Sequence, residues 1–357
     1  MRPLLATVDL SAIRHNYALA KRCAPGRRAF AVVKANAYGH GAREVVSALS
    51  DADGFVVACL EEAGEVRALH GTARVLLLQG CFEVQDYLMA AQLGLDVVVQ
   101  NREQAEALLA CRPSRPLRVW LKLDSGMHRL GFAAAELRDW HARLSGAAQV
   151  AELNLISHFA CADLPEHPLN AAQLECYRGL DDLPFASRSL ANSAAILTRP
   201  EAHRDWLRPG IMLYGASPFA ERPAAGLGLQ SAMTLSGALI AVREVPAGDS
   251  VGYGAGWVAQ RPTRIGTLSC GYADGYLRAA PAGTPVLVGG RRVPLVGRVS
   301  MDMLTVDLSA VPEAQVGTPV ELWGAQLPVD EVAEACGTIG YELLSKLTAR
   351  VPRRHRY

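Results

Sequence analysis

The sequence lacks a strong imbalance of charge and is poor in aromatic residues. Its 357 residues carry a formal net charge of +1, and Phe, Trp and Tyr together make up 6% of them. A balanced charge gives no argument for nucleic acid or an anionic membrane surface as a partner. No apolar run approaches the roughly 18 residues of a membrane span, and the N-terminus lacks the pattern of a signal peptide. We therefore expect a cytoplasmic protein that binds neither nucleic acid nor membrane.

Cysteine patterns for metals or disulfides are also missing. The eight cysteines are scattered along the chain, with no C-x-x-C pair and no metal-ligand spacing. In a chain of this length they are typical of reduced, mostly buried thiols. The sequence therefore predicts no metal site.

The first 230 residues alternate short apolar runs with segments of helical periodicity. Strand-like runs lie at residues 54–58, 75–78, 97–99 and 117–123. Such alternation is typical of right-handed βαβ units and a parallel sheet. About eight units fit before residue 230, which predicts a TIM-like (β/α)8 barrel in an α/β chain. A doubly wound sheet is the alternative, but no G-x-G-x-x-G follows the first strand.

Beyond about residue 230 the pattern changes to strands. Strand-like runs are separated by Pro-Ala-Gly, Gly-Gly and Gly-Thr-Pro, and few helical segments intervene. This is typical of a mostly antiparallel β domain. Because 357 residues exceed what one core usually holds, we predict two domains, residues 1–230 and residues 231–357. The basic residues 350–357 are expected to form a solvated terminus.

Lys34 follows a short apolar run, residues 30–33, with the pattern of a strand buried on both faces. Gly39 and Gly41 then predict a loop. A lysine at the end of a buried strand is costly unless it is paired, neutral or covalently used. The carboxyl end of a barrel strand is also where catalytic groups lie. The alternative is a lysine whose charged end reaches out to solvent.

Two further side chains lie after predicted strands. Arg129 lies in the glycine-containing loop 124–131, where an arginine fork suits a carboxylate ligand. His158 follows the strand at residues 153–157 and is expected to face the same mouth as Lys34. The alternatives are a surface arginine and a structural histidine. His128, beside Arg129, is interpreted as an ordinary surface histidine.

An anion site is indicated near residues 207–215. Pro209 and Gly210 form a turn whose backbone amides can approach an anion closely, and residues 191–194 add small side chains and a hydroxyl. In barrels the loops after the last two strands often hold a phosphate. In the predicted β domain, Tyr253 and Tyr272 lie between glycines on tight turns, where plain turn packing is the alternative.

In combination, residues 31–41, 208–215, 251–254 and 297–302 resemble the alanine racemase family of pyridoxal 5′-phosphate (PLP) enzymes. The resemblance runs nearly the whole length of the chain. It implies a PLP-binding (β/α)8 barrel followed by a β domain, in a head-to-tail homodimer with shared active sites. It also implies that the first strand joins the C-terminal domain.

The resemblance assigns the two bases of a racemase. Lys34 would be the Schiff-base lysine and the base on one face of the substrate, and Tyr253 of the partner subunit would be the base on the opposite face. Arg208 would contact the pyridine nitrogen, with His158 hydrogen-bonded between Arg208 and Tyr253. The residues expected to hold the phosphate are Tyr38, Ser193, Gly210, Ile211 and Tyr341.

The resemblance also assigns a substrate site. Arg129 and the Met301 backbone would take the substrate carboxylate, while Tyr272 and Asp302 would line a narrow entrance. Lys122 matches a lysine that is carbamylated in some relatives, where it orients the arginine corresponding to Arg129.

The implied activity is the interconversion of L-alanine and D-alanine through an external aldimine with PLP. Two bases on opposite faces need not move, but an amine and a phenol serve as bases only if their pKa values fall from about 10. An arginine at the pyridine nitrogen weakens the electron sink and so favours racemisation, whereas decarboxylases on this barrel use a carboxylate there. The alternative functions are a PLP-dependent decarboxylase on the same barrel, a racemase for serine or other amino acids, a non-catalytic PLP protein and a cofactor-free lysine aldolase. The sequence leaves open whether D-alanine is made for peptidoglycan or degraded.

Overall fold

The computed structural model describes residues 2–357. They form two compact units. The barrel unit comprises residues 16–37 and 42–213. The β unit comprises the N-terminal residues up to His15, residues 38–41 and residues 214–357.

Strands and helices alternate in the first part of the chain, and strands dominate the second. The strands are β1 (Leu4–Asp9), β2 (Arg28–Val32), β3 (Gly54–Val57), β4 (Arg74–Leu77), β5 (Asp96–Val99), β6 (Leu117–Lys122), β7 (Val150–Ile156), β8 (Arg188–Ser189), β9 (Trp206–Leu207), β10 (Met233–Val245), β11 (Ser250–Val251), β12 (Trp257–Val258), β13 (Thr263–Leu268), β14 (Pro285–Val288), β15 (Arg291–Val296), β16 (Leu304–Asp307), β17 (Pro319–Trp323) and β18 (Arg353–Arg356). The right-handed α-helices are Leu10–Cys23, Ala42–Ala48, Leu60–Leu69, Val84–Leu93, Arg102–Ala110, Ala134–Leu144, Leu169–Arg178, Ser193–Thr198, Val329–Ala335 and Gly340–Ser345. Within residues 2–357 no helix has both the length and the apolar character needed to cross a membrane.

Strands β2 to β9 form the parallel sheet of the barrel unit, in the order β9-β2-β3-β4-β5-β6-β7-β8. The Arg208 amide donates to Ala191 O and the Asp205 amide to Arg188 O, both at 3.0 Å, which joins the two edge strands. Strands β3 and β5 are buried along their whole length, because the interior covers one face and the helices cover the other. The predicted (β/α)8 barrel is therefore confirmed, and the doubly wound alternative is wrong.

A buried ion cluster lies at the amino end of the barrel strands. Asp96, the first residue of β5, is completely buried. Its carboxylate forms ion pairs with Arg74 (2.5 Å) and Arg118 (2.6 Å) and accepts a hydrogen bond from Trp120 Nε1 (2.9 Å). The amino end of such a barrel usually contributes to stability, whereas catalytic residues lie at the carboxyl end.

The β unit contains a mostly antiparallel sheet with the strand order β13-β16-β15-β14-β17-β10-β1-β18. Strand β10 also pairs with β13. Strand β1 is antiparallel to β10, with Leu4 opposite Gly237 and Val8 opposite Met233. The predicted change from a parallel to an antiparallel β architecture is thus confirmed.

The C-terminal basic segment differs from the prediction of a solvated terminus. Residues Arg353–Arg356 form β18, which pairs in parallel with β1 from Ala6↔Arg353 to Asp9↔Arg356. The Arg353 guanidinium donates to Gly39 O (2.6 Å) and to Leu347 O (3.0 Å). The segment is ordered because alternate side chains find backbone and carboxylate partners, which its charge alone did not indicate.

Candidate active site

Several cationic side chains and one imidazole lie at the carboxyl ends of the barrel strands. Lys34 follows β2, Lys122 ends β6, His158 follows β7 and Arg208 follows β9. The positive charges of Arg208, Lys122, Arg129 and Lys34 all contribute to lowering the pKa of His158. These five side chains therefore share the carboxyl mouth of the barrel.

Directly after Lys34 the backbone turns left-handed. The φ angles of residues 35–38 lie between 51° and 53°, although none of them is glycine. This conformation costs about 1–2 kcal/mol per L-residue, so the surrounding structure must hold it. Inside the turn, the Ala37 amide donates to Val33 O at 2.8 Å. Such strain beside a strand-end lysine is typical of a functional site.

The Lys34 amine is largely buried at this mouth. Burial and the positive charge of Arg129 lower its pKa, while the negative charge of Glu62 opposes the shift. A lowered pKa increases the fraction of neutral amine near neutral pH. Neutral amine is the form that acts as nucleophile or base.

The Arg208 guanidinium is buried and surrounded by neutral acceptors. It donates to Ser157 O (2.5 Å), to Leu190 O (3.3 Å) and to Ser189 Oγ. Burial lowers the pKa of Arg208 to about 10, and the acidic group that opposes this shift is a phenol, Tyr177, not a carboxylate. The guanidinium is therefore charged at neutral pH, and within residues 2–357 no carboxylate forms an ion pair with it.

His158 is held in its neutral form beside this charge. Its Nδ1 lies 3.3 Å from Arg208 Nη2. Burial, and next the Arg208 charge, lower the pKa of His158 well below its ordinary value. Because a guanidinium can only donate, Nδ1 accepts, and the neutral ring carries its proton on Nε2.

The loop that carries Arg129 is folded by one carboxylate. Asp124 Oδ1 accepts from the backbone amides of Gly126 (3.0 Å), Met127 (3.1 Å) and His128 (3.0 Å). The Arg129 side chain is exposed, so its guanidinium is accessible to an anionic ligand. The His128 side chain is 83% exposed, as expected of a surface histidine.

Lys122 is a buried amine in a cationic environment. Its exposed fraction is 8%, and burial together with the charges of Arg208, Arg129 and Lys34 lowers its pKa to about 8. Asp124 is the acidic group that opposes this shift. At pH 7 about a tenth of this amine is therefore uncharged.

Ser193 and Gly210 meet beside the last two barrel strands. Ser193 Oγ accepts hydrogen bonds from the amides of Gly210 (2.9 Å) and Met212 (3.4 Å). With its acceptor capacity used in this way, the hydroxyl has its own proton left to donate. Ile211, which is also buried, lies between the two amides in the chain. The pair thus offers a donor suited to an anion such as a phosphate.

In the β unit, the Tyr253 side chain is unusually exposed. It lies on the short 3₁₀ turn Tyr253–Ala255, and 68% of the residue is accessible. Gly252 before it has φ +82° and Gly254 after it has φ +73°, so both neighbours use a conformation that favours glycine. The turn therefore presents an aromatic hydroxyl outward.

Tyr272, Met301 and Asp302 are brought together by two interlocked loops of the β unit. The Tyr272 amide donates to Ser300 O at 3.1 Å, and the two loops approach so closely that a Cβ on Gly271 would lie 2.3 Å from Met301 O. Asp302 is tied to this region by an ion pair with Arg350 at 2.7 Å.

Tyr38 and Tyr341 also come together within the β unit. Their ring centroids are 6.0 Å apart, and Tyr38 stacks on Tyr214 at 4.9 Å. Burial raises the pKa of the Tyr38 hydroxyl. The hydroxyl therefore stays protonated and can donate to an anion.

Sequence reasoning missed two residues that support this site. Glu62 accepts from the amide of Ala35, the residue after Lys34, at 2.7 Å. Gln173, completely buried, donates to His158 O (3.0 Å) and to Ser125 Oγ (3.1 Å). Both are ordinary helix residues in the sequence, and only the contact with a distant segment reveals their position.

Two family models match the chain. The model described as "Alanine racemase, N-terminal domain" matches residues 8–218, and "Alanine racemase, C-terminal domain" matches residues 232–355. A curated relative, the biosynthetic alanine racemase of Pseudomonas aeruginosa, is 73% identical over 356 residues, or 99% of each chain.

Solved structures agree with these matches. The crystal structure of biosynthetic alanine racemase from Pseudomonas aeruginosa superimposes with a TM-score of 0.99 at 72% identity, over 100% of both chains. Alanine racemase from Bartonella henselae, solved with covalently bound pyridoxal phosphate, gives a TM-score of 0.91 at 30% identity, again over 100% of both chains.

Proposed function

This chain belongs to the alanine racemase family, and from that membership we propose that it interconverts L-alanine and D-alanine with PLP as its cofactor. The observation that carries the proposal is the presence of two groups at one barrel mouth. They are a strand-end lysine of lowered pKa, Lys34, and a buried arginine, Arg208, whose described neighbours include no carboxylate partner. Racemases are isomerases, so the reaction needs no second substrate.

The residues present fit PLP. Lys34 supplies an amine of lowered pKa, whose neutral form can form an imine with an aldehyde. The Arg208 guanidinium donates to neutral carbonyl oxygens. A neutral ring nitrogen would therefore suit it as a further acceptor. The hydroxyls of Ser193 and Tyr38 have protons to donate, which suits a phosphate. Gly210, Ile211 and Tyr341 would complete the phosphate site.

When bound, PLP withdraws electrons from the Cα–H bond of the amino acid, and the protein determines which bond breaks. Lys34 Nζ takes or returns the proton on one face of Cα. The Tyr253 hydroxyl takes or returns it on the other face. The Arg208 guanidinium, which can only donate, would leave the ring nitrogen unprotonated, which would weaken electron withdrawal and disfavour transamination.

The second base comes from another copy of the chain. The exposure of Tyr253 on a glycine-flanked turn supports this, because a side chain that acts in a neighbouring subunit must project from its own surface. We therefore propose a homodimer with shared active sites. In it, residues 1–230 form the PLP-binding domain, and residues 231–357 supply Tyr253 to the partner. The pairing of β1 with β10 and β18 supports assigning the first strand to the C-terminal domain.

Arg129 and the Met301 backbone hold the substrate carboxylate, and Tyr272 with Asp302 lines the entrance. The exposed Arg129 fork supports the first role, because two parallel hydrogen bonds fix both position and orientation of a carboxylate. Neutral His158 accepts from Arg208 at Nδ1, so its Nε2 proton is available for a hydrogen bond to Tyr253. That arrangement stabilises a tyrosinate without moving positive charge onto the ring.

We further propose a biosynthetic role, the supply of D-alanine for peptidoglycan. The relative that is 73% identical bears the name "Alanine racemase, biosynthetic". Growth of a D-alanine auxotroph on medium without D-alanine, after introduction of this gene, is the expected result. Failure of an active, expressed protein to restore growth would contradict this role.

Loss of optical rotation from L-alanine on adding the protein and PLP tests the activity. The Lys34→Ala variant serves as the inactive control. Borohydride should bleach the yellow protein and leave a reduced pyridoxyl adduct on Lys34, which peptide mass spectrometry locates. Unchanged rotation with a PLP-loaded protein would overturn the proposal. Racemisation of L-serine, measured in parallel, would indicate a racemase of broader specificity. Release of carbon dioxide would indicate a decarboxylase.

A further inference from the structure

Glu62 links the beginning of the left-handed turn to strand β3. Its Oε1 accepts from the Ala35 amide at 2.7 Å, and its Oε2 accepts from the Ala58 amide at 2.8 Å. Ala35 directly follows Lys34, and Ala58 directly follows β3. One carboxylate therefore joins the segment after β2, which carries the lysine, to the segment after β3.

This bridge stands where the pairing of β2 with β3 stops. The last backbone hydrogen bond of the pair runs from the Val33 amide to Val56 O at 2.9 Å. Beyond it the strand cannot continue, because Ala35 has φ 53° and ψ 49°. The amides of Ala35 and Ala58 then need another acceptor, since few backbone N–H groups stay unpaired in folded proteins. A carboxylate with two oxygens serves both, and these bonds are charge-assisted.

Helix capping alone does not account for Glu62. It is the third residue of helix Leu60–Leu69, where an acidic side chain commonly reaches back to amides at the helix start. The bond to Ala58, the residue before the N-cap Cys59, instead joins the helix start to the end of β3. The bond to Ala35 crosses to a segment 27 residues away, so it contributes nothing to the cap. The far side of the turn is anchored separately, by Asn36 Oδ1 accepting from the Ala42 amide at 2.8 Å.

Resting on the proposed role of Lys34, we propose that Glu62 is a positioning residue for racemisation. It fixes the left-handed turn at its first residue and thereby the direction in which Lys34 leaves the strand end. Glu62 touches neither substrate nor cofactor in this role. Its negative charge also raises the pKa of the Lys34 amine, opposite in effect to the charge of Arg129.

Three variants separate these contributions. Glu62→Gln keeps the length of the side chain but has one acceptor oxygen and no charge, so it cannot hold both amides. Glu62→Asp keeps the charge but is one methylene too short to span them. Glu61→Gln is the matched control, because Glu61 is the exposed neighbour on the same helix turn.

The first readout is independent of activity. The PLP-free full-length chain is reductively methylated with ¹³C-formaldehyde. Because the chain has four lysines, few NMR signals result. The Lys34 signal is assigned by its absence from a Lys34→Arg variant. We expect Lys34 of Glu62→Gln to titrate at lower pH than in the parent, since the opposing negative charge is gone. In Glu61→Gln the titration is expected to match the parent.

The second readout is the PLP-loaded enzyme. Both Glu62→Gln and Glu62→Asp should lower kcat in both directions by tenfold or more and release PLP at least tenfold faster, while Glu61→Gln stays within twofold of the parent. A folded Glu62→Gln with parental kcat, PLP release and Lys34 titration overturns the inference. Full kcat in Glu62→Asp also overturns it, because charge without the bridge would then suffice. If the parent itself does not racemise alanine, the proposed function fails, while the Lys34 titration still reports on the effect of the Glu62 charge.

Discussion

Arg208 Nη2 and His158 Nδ1 lie 3.3 Å apart, and the positive charge of this pair stays on the arginine. Burial affects both groups, but it lowers the pKa of Arg208 only to about 10, whereas the pKa of His158 falls well below its ordinary value. At neutral pH the pair therefore consists of a guanidinium and a neutral imidazole. This fixed protonation gives His158 one acceptor nitrogen and one donor nitrogen, which a relay between two partners requires.

The neutral state of His158 predicts a pH dependence of stability. Its pKa is lower in the folded chain than the ordinary value of 6.5. Below pH 6.5 the unfolded chain therefore binds more protons at this site, so its contribution is fully present above pH 6.5 and is lost as the pH falls. The loss amounts to at most about 1.4 kcal/mol per pH unit.

Urea unfolding of the parent and of His158→Asn between pH 5 and 7.5, at constant protein concentration, measures this contribution. The free energy of unfolding should fall less steeply with decreasing pH in the variant. Parallel curves would show that His158 is not held neutral.

Asp96→Asn tests whether the amino end of the barrel contributes to stability and not to catalysis. The carboxylate is buried with Arg74, Arg118 and Trp120 as partners, and breaking a buried ion pair costs about 3–5 kcal/mol. We expect the free energy of unfolding to fall by about 3 kcal/mol, with kcat unchanged at a temperature where the variant is folded. Asp51→Asn, at an exposed position, is the control and should change neither quantity. A tenfold fall in kcat of the folded Asp96 variant would contradict a purely structural role.

The fold could be predicted because its signals are local. Apolar runs of strand length, such as residues 54–58 and 97–99, recur between helical segments, and this period is itself the signature of parallel βαβ units. Lys34 and His158 could be picked out for the same reason, since each follows such a run. The pairing of Arg353–Arg356 with β1 could not be predicted, because the local sequence of a basic segment does not indicate a strand partner more than 300 residues away.

The left-handed turn and its support were beyond sequence reasoning for a different reason. Asn36 tolerates a positive φ as a single residue, but alanine and tyrosine do not favour it, so residues 35–38 give no indication of four consecutive left-handed residues. It exists because acceptors from elsewhere, such as the Glu62 carboxylate, compensate its strain. Propensity describes a residue alone, whereas strain at a site is a property of its surroundings.

Gly39→Ala and Gly26→Ala together measure a close approach in the β unit. Both glycines have nearly the same φ, +80° and +78°, so the conformational cost of alanine should be alike, about 1–2 kcal/mol. A Cβ at Gly26 would meet open space, whereas at Gly39 it would lie 2.1 Å from Leu344 O. Leu344 belongs to the helix of Tyr341, so that helix must shift.

Thermal or urea unfolding of both variants should show Gly39→Ala to be the less stable by at least about 1 kcal/mol, the lower range of overpacking costs. PLP affinity should fall in Gly39→Ala and remain parental in Gly26→Ala. Equal stability losses would mean that the helix accommodates the methyl group freely.

Lys122 is expected to react with carbon dioxide. With a pKa of about 8, roughly a quarter of the amine is neutral at pH 7.5, and a carbamate there would place a negative charge among Arg208, Arg129 and Lys34. ¹³C-NMR in ¹³C-bicarbonate should show a carbamate signal that disappears in Lys122→Arg. Lys21→Arg, which alters a lysine paired with Asp53, is the control. A signal that persists in Lys122→Arg would place the carbamate elsewhere.

Tyr253→Phe tests the assignment of two bases on opposite faces. The two enantiomers of alanine have equal free energy, so the variant must lose kcat/KM equally in both directions, and racemisation rates cannot identify the missing base. Exchange of the α-proton with D₂O can. The enantiomer whose proton Lys34 removes should still exchange, with retention of configuration, whereas exchange of the other should fall by 100-fold or more, the usual range for a missing general base. Tyr272→Phe, at the proposed entrance, should slow both exchanges by the same factor. If Tyr253→Phe also slowed both equally, one base would serve both faces, and the exposed tyrosine would have some other task.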